Sequence, residues 1–252
     1  LSSKASTAEN SQRSSSRAAV VVASPPALGA AAVVGLLVAF ALRLPLLDAF
    51  PLRDDEALYS AWALAARFDL FYLTTLPDKP PLFLWLQAIA LALFGPTAAG
   101  ARLLSIAASV ATVALMRPAA RLLWPQKGVS AGAGVVALWL MALNPFAISF
   151  APTAYTDMLL LFFALLALVG GLRGRWLAAG AALGAAIMTK QQGLLFAPLI
   201  LLLPLVTRQG DRPSSAGALR ALLRMAGGLL LVVGPLLLWD ASRWAVAPSP
   251  WD

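Results

Sequence analysis

From Ala27 to Leu42 the chain carries no charged side chain, and from Gly217 to Trp239 it carries only Arg220 and Arg224. Such runs approach the ~20 apolar residues that cross a hydrocarbon layer as a helix. Strand-like alternation is absent, which argues against a membrane barrel. Composition agrees: 60% of residues are hydrophobic, 12% are charged and mean hydropathy is +0.81. Soluble domains hold about 45–50% apolar and 25% charged residues. The expected fold class is all-α: a polytopic transmembrane helical bundle of about seven spans, with juxtamembrane helices in a long first outer loop.

The chain has neither Cys nor His. Thiol nucleophiles, zinc-thiolate sites, histidine triads and imidazole relays are therefore excluded. A catalytic base must be a carboxylate, and any metal must be held mostly by oxygen, which favours a divalent ion such as Mg or Mn. The net charge of +8 does not point to nucleic acid. The basic residues sit mainly in short loops between spans, where the positive-inside rule places them.

Spans are expected near 27–47, 103–123, 130–150, 156–172, 176–190, 192–207 and 218–240. Residues 81–94 are too short for a full crossing and read as a surface or re-entrant helix. This assignment puts Lys4, Arg13, Arg17, Arg117, Arg121, Lys127, Arg173, Arg175, Arg208, Arg212, Arg220 and Arg224 on one side. It puts every acidic residue except Glu9 and Asp211 on or near the other. The expected location is the plasma (cytoplasmic) membrane, multi-pass, with the N-terminus cytoplasmic and the acidic loop outside. Residues 1–24 read as a disordered basic tail, and 25–252 as the transmembrane module with its outer loop at 48–102. No small-residue cleavage site stands out, so a removed signal peptide is not expected. The first residue is Leu, which fits a trimmed or partial chain or an alternative start codon.

The outer loop holds the cluster Asp54, Asp55, Glu56, Asp69 and Asp78, closed by Lys79. Acidic groups beside hydrocarbon are costly to keep and mark a functional region by default. Asp55–Phe68 has a helical pattern that Asp54 can cap, with Asp55 and Tyr59 on one face and Leu58, Trp62, Ala65 and Phe68 or Ala61 as an apolar stripe. Gly180 and Gly184 form a small-residue pair suited to helix packing, and the eight Trp residues suit an interfacial belt.

Four motifs occur in order: Asp55-Glu56-Ala57 with Tyr59, Lys79-Pro80-Pro81-Leu82 with Trp85, Arg102-Leu103, and Thr156-Asp157. Together, over roughly residues 30–200, they resemble the GT-C membrane glycosyltransferases, in the branch of protein O-mannosyltransferases and aminoarabinose-to-lipid-A transferases. The resemblance implies inverting transfer of a sugar from a polyprenyl-phosphate donor to a lipid, glycan or protein acceptor outside the cytoplasmic leaflet. It implies catalytic roles for Asp55 as base, Glu56 as its support and Asp157 facing the same cavity. It places Lys79, Tyr59 and Arg102 on the donor phosphate, with Lys190 a further contact at the outer end of its span. Asp55 with Asp78 would hold a divalent metal. The partners implied are the lipid-linked donor, the acceptor and membrane lipid, with no nucleic acid. The match is to the family's shared N-terminal half, and the C-terminal variable module is expected to be absent from this chain.

Structural readings stand beside these. The acidic triplet can simply start a helix, Lys79 and Lys190 can reach for the interface, Asp157 can mark a helix start, and Arg102 can pair with the acidic loop or mark a helix start. A non-catalytic GT-C-like subunit scaffolding a larger membrane complex is the alternative. A flippase would need polar residues at mid-membrane, and the spans are nearly free of them.

Overall fold

The structure, a computed structural model, describes residues 24–75, 77–126, 129–206 and 215–243. Their regular structure is helical, with no strand among them. The helices are α1 (Pro25–Arg43), α2 (Asp54–Ala65), α3 (Pro81–Phe94), α4 (Ala98–Leu123), α5 (Ser130–Ala142), α6 (Pro145–Phe150), α7 (Asp157–Leu172), α8 (Trp176–Thr189), α9 (Ala197–Val206) and α10 (Ser215–Arg243). A 3₁₀ turn, Gln191–Phe196, runs into α9. Residues 1–23, Lys127, Arg208 and Arg212 lie outside the described residues.

Among the described residues three helices are long and apolar enough to cross a membrane: α1, α4 and α10. The helix expected at 81–94 forms with those bounds, because Pro81 suits the first helical position and Gly95 ends it at φ +90°. The single span expected at 130–150 is instead two helices. Pro145 cannot continue a helix, and the Asn144 side chain accepts the Ala147 N–H to start a new one. The span expected at 192–207 likewise opens as a 3₁₀ turn before α9. Asp54 is the first helical residue of α2, with Arg53 at the cap position expected for Asp54.

α4 is the central helix and packs on α1, α3, α5 and α7. α8 packs between α7 and α10. Its composition of Ala and Gly permits this: a Cβ on Gly180 would collide with the Met225 carbonyl, and one on Gly228 with the Leu177 carbonyl. The two backbones approach closely, and bulk at either glycine would force them apart. α5 is fastened to α1 by the Trp139 indole N–H, which donates to the Ala31 carbonyl at 3.1 Å.

A buried arginine outside every sequence motif also joins helices. Arg43, fully buried at the end of α1, donates through Nε to Ser109 on α4 and through Nη1 to the Ala142 carbonyl at the end of α5. It thereby satisfies a carbonyl that α5 leaves free where it breaks.

Candidate functional site

α2 lies beside the ends of α3, α4 and α7, and the Glu56–Arg102 pair holds it there. Glu56 is fully buried and Arg102 is 2% exposed. Arg102 donates through Nε to Glu56 Oε1 at 2.9 Å and through Nη2 to Oε2 at 3.0 Å. Its other donors go to the carbonyls of Leu47 and Phe50, through Nη1, and of Pro51, through Nη2. All five guanidinium N–H groups thus have acceptors. Glu56 also accepts the backbone N–H of Arg53 and of Ala154. Burial works against its charge, but the bonds from Arg102, Arg53 and Ala154 outweigh that and hold its carboxyl below the usual range.

Glu56 and Arg102 are thus fully engaged with each other and with backbone groups. They anchor α2 to α4, to the loop after α1 and to the Ala154 segment. Neither has a free group to offer Asp55 or a phosphate.

Asp55 lies exposed in the first turn of α2, and Tyr59, one turn later, is buried. The Tyr59 phenol is pushed up to about 12, first by burial and then by the charges of Asp55, Asp78 and Asp157, with Tyr155 adding to them. Carboxylates from three separate segments thus act on the charge of one hydroxyl. Two of them are paired: Lys79 Nζ lies 2.6 Å from Asp78 Oδ2, and Lys190 Nζ lies 2.9 Å from Asp157 Oδ1. The side-chain amide of Gln191 donates to the Asp78 carbonyl at 3.2 Å, joining the end of α8 to the Lys79 segment. Asp55 has no ion pair or side-chain hydrogen bond among the described residues. It is the carboxylate left uncommitted.

The floor beneath these groups is apolar: Tyr59, Phe83, Met158, Leu159, Met188 and Trp239 form one buried cluster. Of the stripe expected on α2, Leu58 and Phe68 are exposed, whereas Trp62 turns inward and stacks on Tyr59 at 5.9 Å. Two more Trp residues also turn inward. Trp85 and Trp239 donate their N–H groups to the Leu70 and Phe71 carbonyls, pinning the loop between α2 and α3.

That loop is ordered by Asp69, which accepts from the backbone N–H of Leu73, Thr74 and Thr75 and from both threonine hydroxyls. Burial opposes its charge, but these bonds hold the carboxyl well below the usual range. Tyr72, at φ +51°, sits fully buried within the loop, an uncommon conformation for a non-glycine residue. Arg243, 1% exposed, stacks its guanidinium over Trp239 at 4.4 Å. No signal in the sequence marked Asp69, Tyr72 or Arg243 for these contacts.

Among the described residues no three acidic side chains lie close enough together to hold a metal ion, and Asp78, the partner expected for Asp55, is paired with Lys79.

By fold this is a helical membrane protein whose charged groups gather at the ends of its bundle. Residues 78–239 match the family model described as dolichyl-phosphate-mannose-protein mannosyltransferase. The match covers more than half of the chain, and the chain belongs to this family of GT-C membrane glycosyltransferases. The matched stretch contains Asp78, Lys79, Arg102, Asp157 and Lys190, while Asp55, Glu56 and Tyr59 precede it. No curated protein matches the chain.

Proposed function

We propose that the protein transfers a sugar from a polyprenyl-phosphate donor to an acceptor hydroxyl at the extracytoplasmic membrane surface, with inversion at the anomeric carbon. One observation supports this most: Asp78 and Asp157 each carry a lysine, Asp55 carries none among the described residues, and all three act on the charge of Tyr59. An acceptor hydroxyl needs a carboxylate within hydrogen-bond reach to take its proton as it attacks. Asp55 is that base. The acceptor oxygen bonds to the anomeric carbon as the bond from that carbon to the phosphate oxygen breaks. The polyprenyl phosphate leaves with the extra negative charge.

Lys79 and Lys190 stabilise that charge. Each is held by an aspartate that a phosphate can replace, so the ammonium groups are in position before the donor arrives. Tyr59 stays protonated at neutral pH, so its hydroxyl has a proton to donate in a hydrogen bond.

The bundle supports the orientation. Arg102 and Arg117 lie fifteen positions apart on α4, a rise of about 22 Å. Asp157 and Arg173 bracket α7 over about 24 Å. The carboxylate-rich end and the arginine-rich end are thus separated by most of a bilayer core. The positive-inside rule then makes the Asp55 end extracytoplasmic.

The test uses the purified enzyme, expressed from its full reading frame, with lipid-linked and nucleotide-activated sugars. Transfer is expected from the lipid-linked donor alone. Lys79→Ala is expected to raise the apparent KM for that donor about tenfold without lowering the melting temperature. Transfer from a nucleotide sugar instead, or an unchanged donor KM, would contradict the reading.

A further inference from the structure

At the end of the bundle remote from Asp55, a cavity of about 380 Å³ opens between α1, α4 and α5. Three arginines line it: Arg117 and Arg121, one turn apart on α4, and Arg173, just beyond α7. Its walls are otherwise hydrocarbon, chiefly Val33, Leu36 and Leu138. None of the three guanidiniums has an ion pair or hydrogen bond among the described residues, and the Nε of Arg117 is buried without a partner. Burying a guanidinium nitrogen without an acceptor is costly.

The packing of α5 shapes this arrangement. A Cβ on Gly134 would come within 2.9 Å of both the Arg117 carbonyl and the Arg121 Cγ. Glycine there lets α5 lie directly on the aliphatic stems of the two arginines.

We infer that this cavity is a binding site for the headgroup of an anionic glycerophospholipid. A phosphodiester supplies the acceptor oxygens that three unpaired guanidiniums lack, and planar guanidinium groups match phosphate oxygens in pairs. The apolar wall selects a lipid over a soluble anion. Val33, 57% exposed on α1, continues the cavity onto a greasy helix face along which acyl chains can run. Basic pockets between spanning helices are the recurrent form of such sites. The site is separate from the sugar-transfer site and does not depend on that reading.

The experiment measures thermal unfolding of the purified protein in uncharged detergent. Phosphatidylglycerol, phosphatidylcholine and inorganic phosphate are titrated at equal concentrations. Phosphatidylglycerol is expected to raise the melting temperature, with the other two producing little change. Arg117→Gln is expected to weaken the apparent lipid affinity roughly fivefold, and the pair Arg121→Gln/Arg173→Gln more so. If Arg117→Gln does not fold, the double variant decides. An equal shift from phosphatidylcholine would overturn the inference, as would an equal shift from inorganic phosphate, which would mark a soluble-anion site. Persistence of the phosphatidylglycerol effect in the variants would also overturn it.

Discussion

Glu56→Gln separates the two neighbouring carboxylates of α2. The substitution keeps shape and removes charge from a fully buried side chain whose partner, Arg102, is 2% exposed. Breaking a buried ion pair by neutralising one partner costs about 3–5 kcal/mol, because the other charge stays buried. Arg102 would keep three carbonyl acceptors, which favours the low end of that range. Against this, the new amide group would present a donor where Glu56 now accepts the N–H of Arg53 or Ala154. A donor facing a donor adds about 1–3 kcal/mol. The expected loss is therefore about 4–6 kcal/mol, a drop of roughly 8–24 °C in melting temperature for a chain of this size. Tryptophan fluorescence during heating in detergent reads it. Asp54→Asn, at an exposed position, is the control and should change stability by no more than about 0.5 kcal/mol. If Glu56→Gln melts within about 2 °C of the parent, the pair does not anchor α2 and the account of the site's scaffold is wrong.

Two further outcomes follow from the same region. The Glu56 and Asp69 carboxyls lie below their ordinary values in the folded chain. Their stabilisation is thus complete above the unfolded carboxylate value of about 4 and lost as pH falls through the folded values. Melting temperature should fall below about pH 4, less steeply for Glu56→Gln; a constant value on acidification would count against both networks. The Tyr59 phenol, held near 12 partly by Asp55, should titrate at lower pH in Asp55→Asn, followed by tyrosinate absorbance in a chain with only 3 Tyr residues. An unmoved titration would place Asp55 out of reach of Tyr59.

Local signals carried much of the fold. Pro80-Pro81 and Gly95 delimited α3, and Thr156-Asp157 marked the start of α7. The break at Asn144-Pro145 was equally visible as a turn dipeptide, yet the surrounding hydrophobicity masked it in a span reading governed by length. Asp78, Lys79, Asp157 and Lys190 were each legible as candidates from their motifs or their place at the ends of spans. Their pairing across distant segments was not, because it depends on how α3, α7 and α8 converge. Arg102 was legible as a partner for the acidic loop, but which carboxylate it takes was not: Glu56, 46 residues away, closes on it. Arg43 and Arg243 had no motif at all, and only packing reveals that each is buried.

Sugar transfer by Asp55→Asn tests the central claim most directly. The variant and the parent are compared for transfer of labelled sugar from a polyprenyl-phosphate donor, at matched expression and melting temperature. Asp55 is exposed, so the substitution should leave folding intact. The account predicts that transfer is abolished while the protein melts as the parent does. Undiminished transfer by a normally folded Asp55→Asn protein would contradict it.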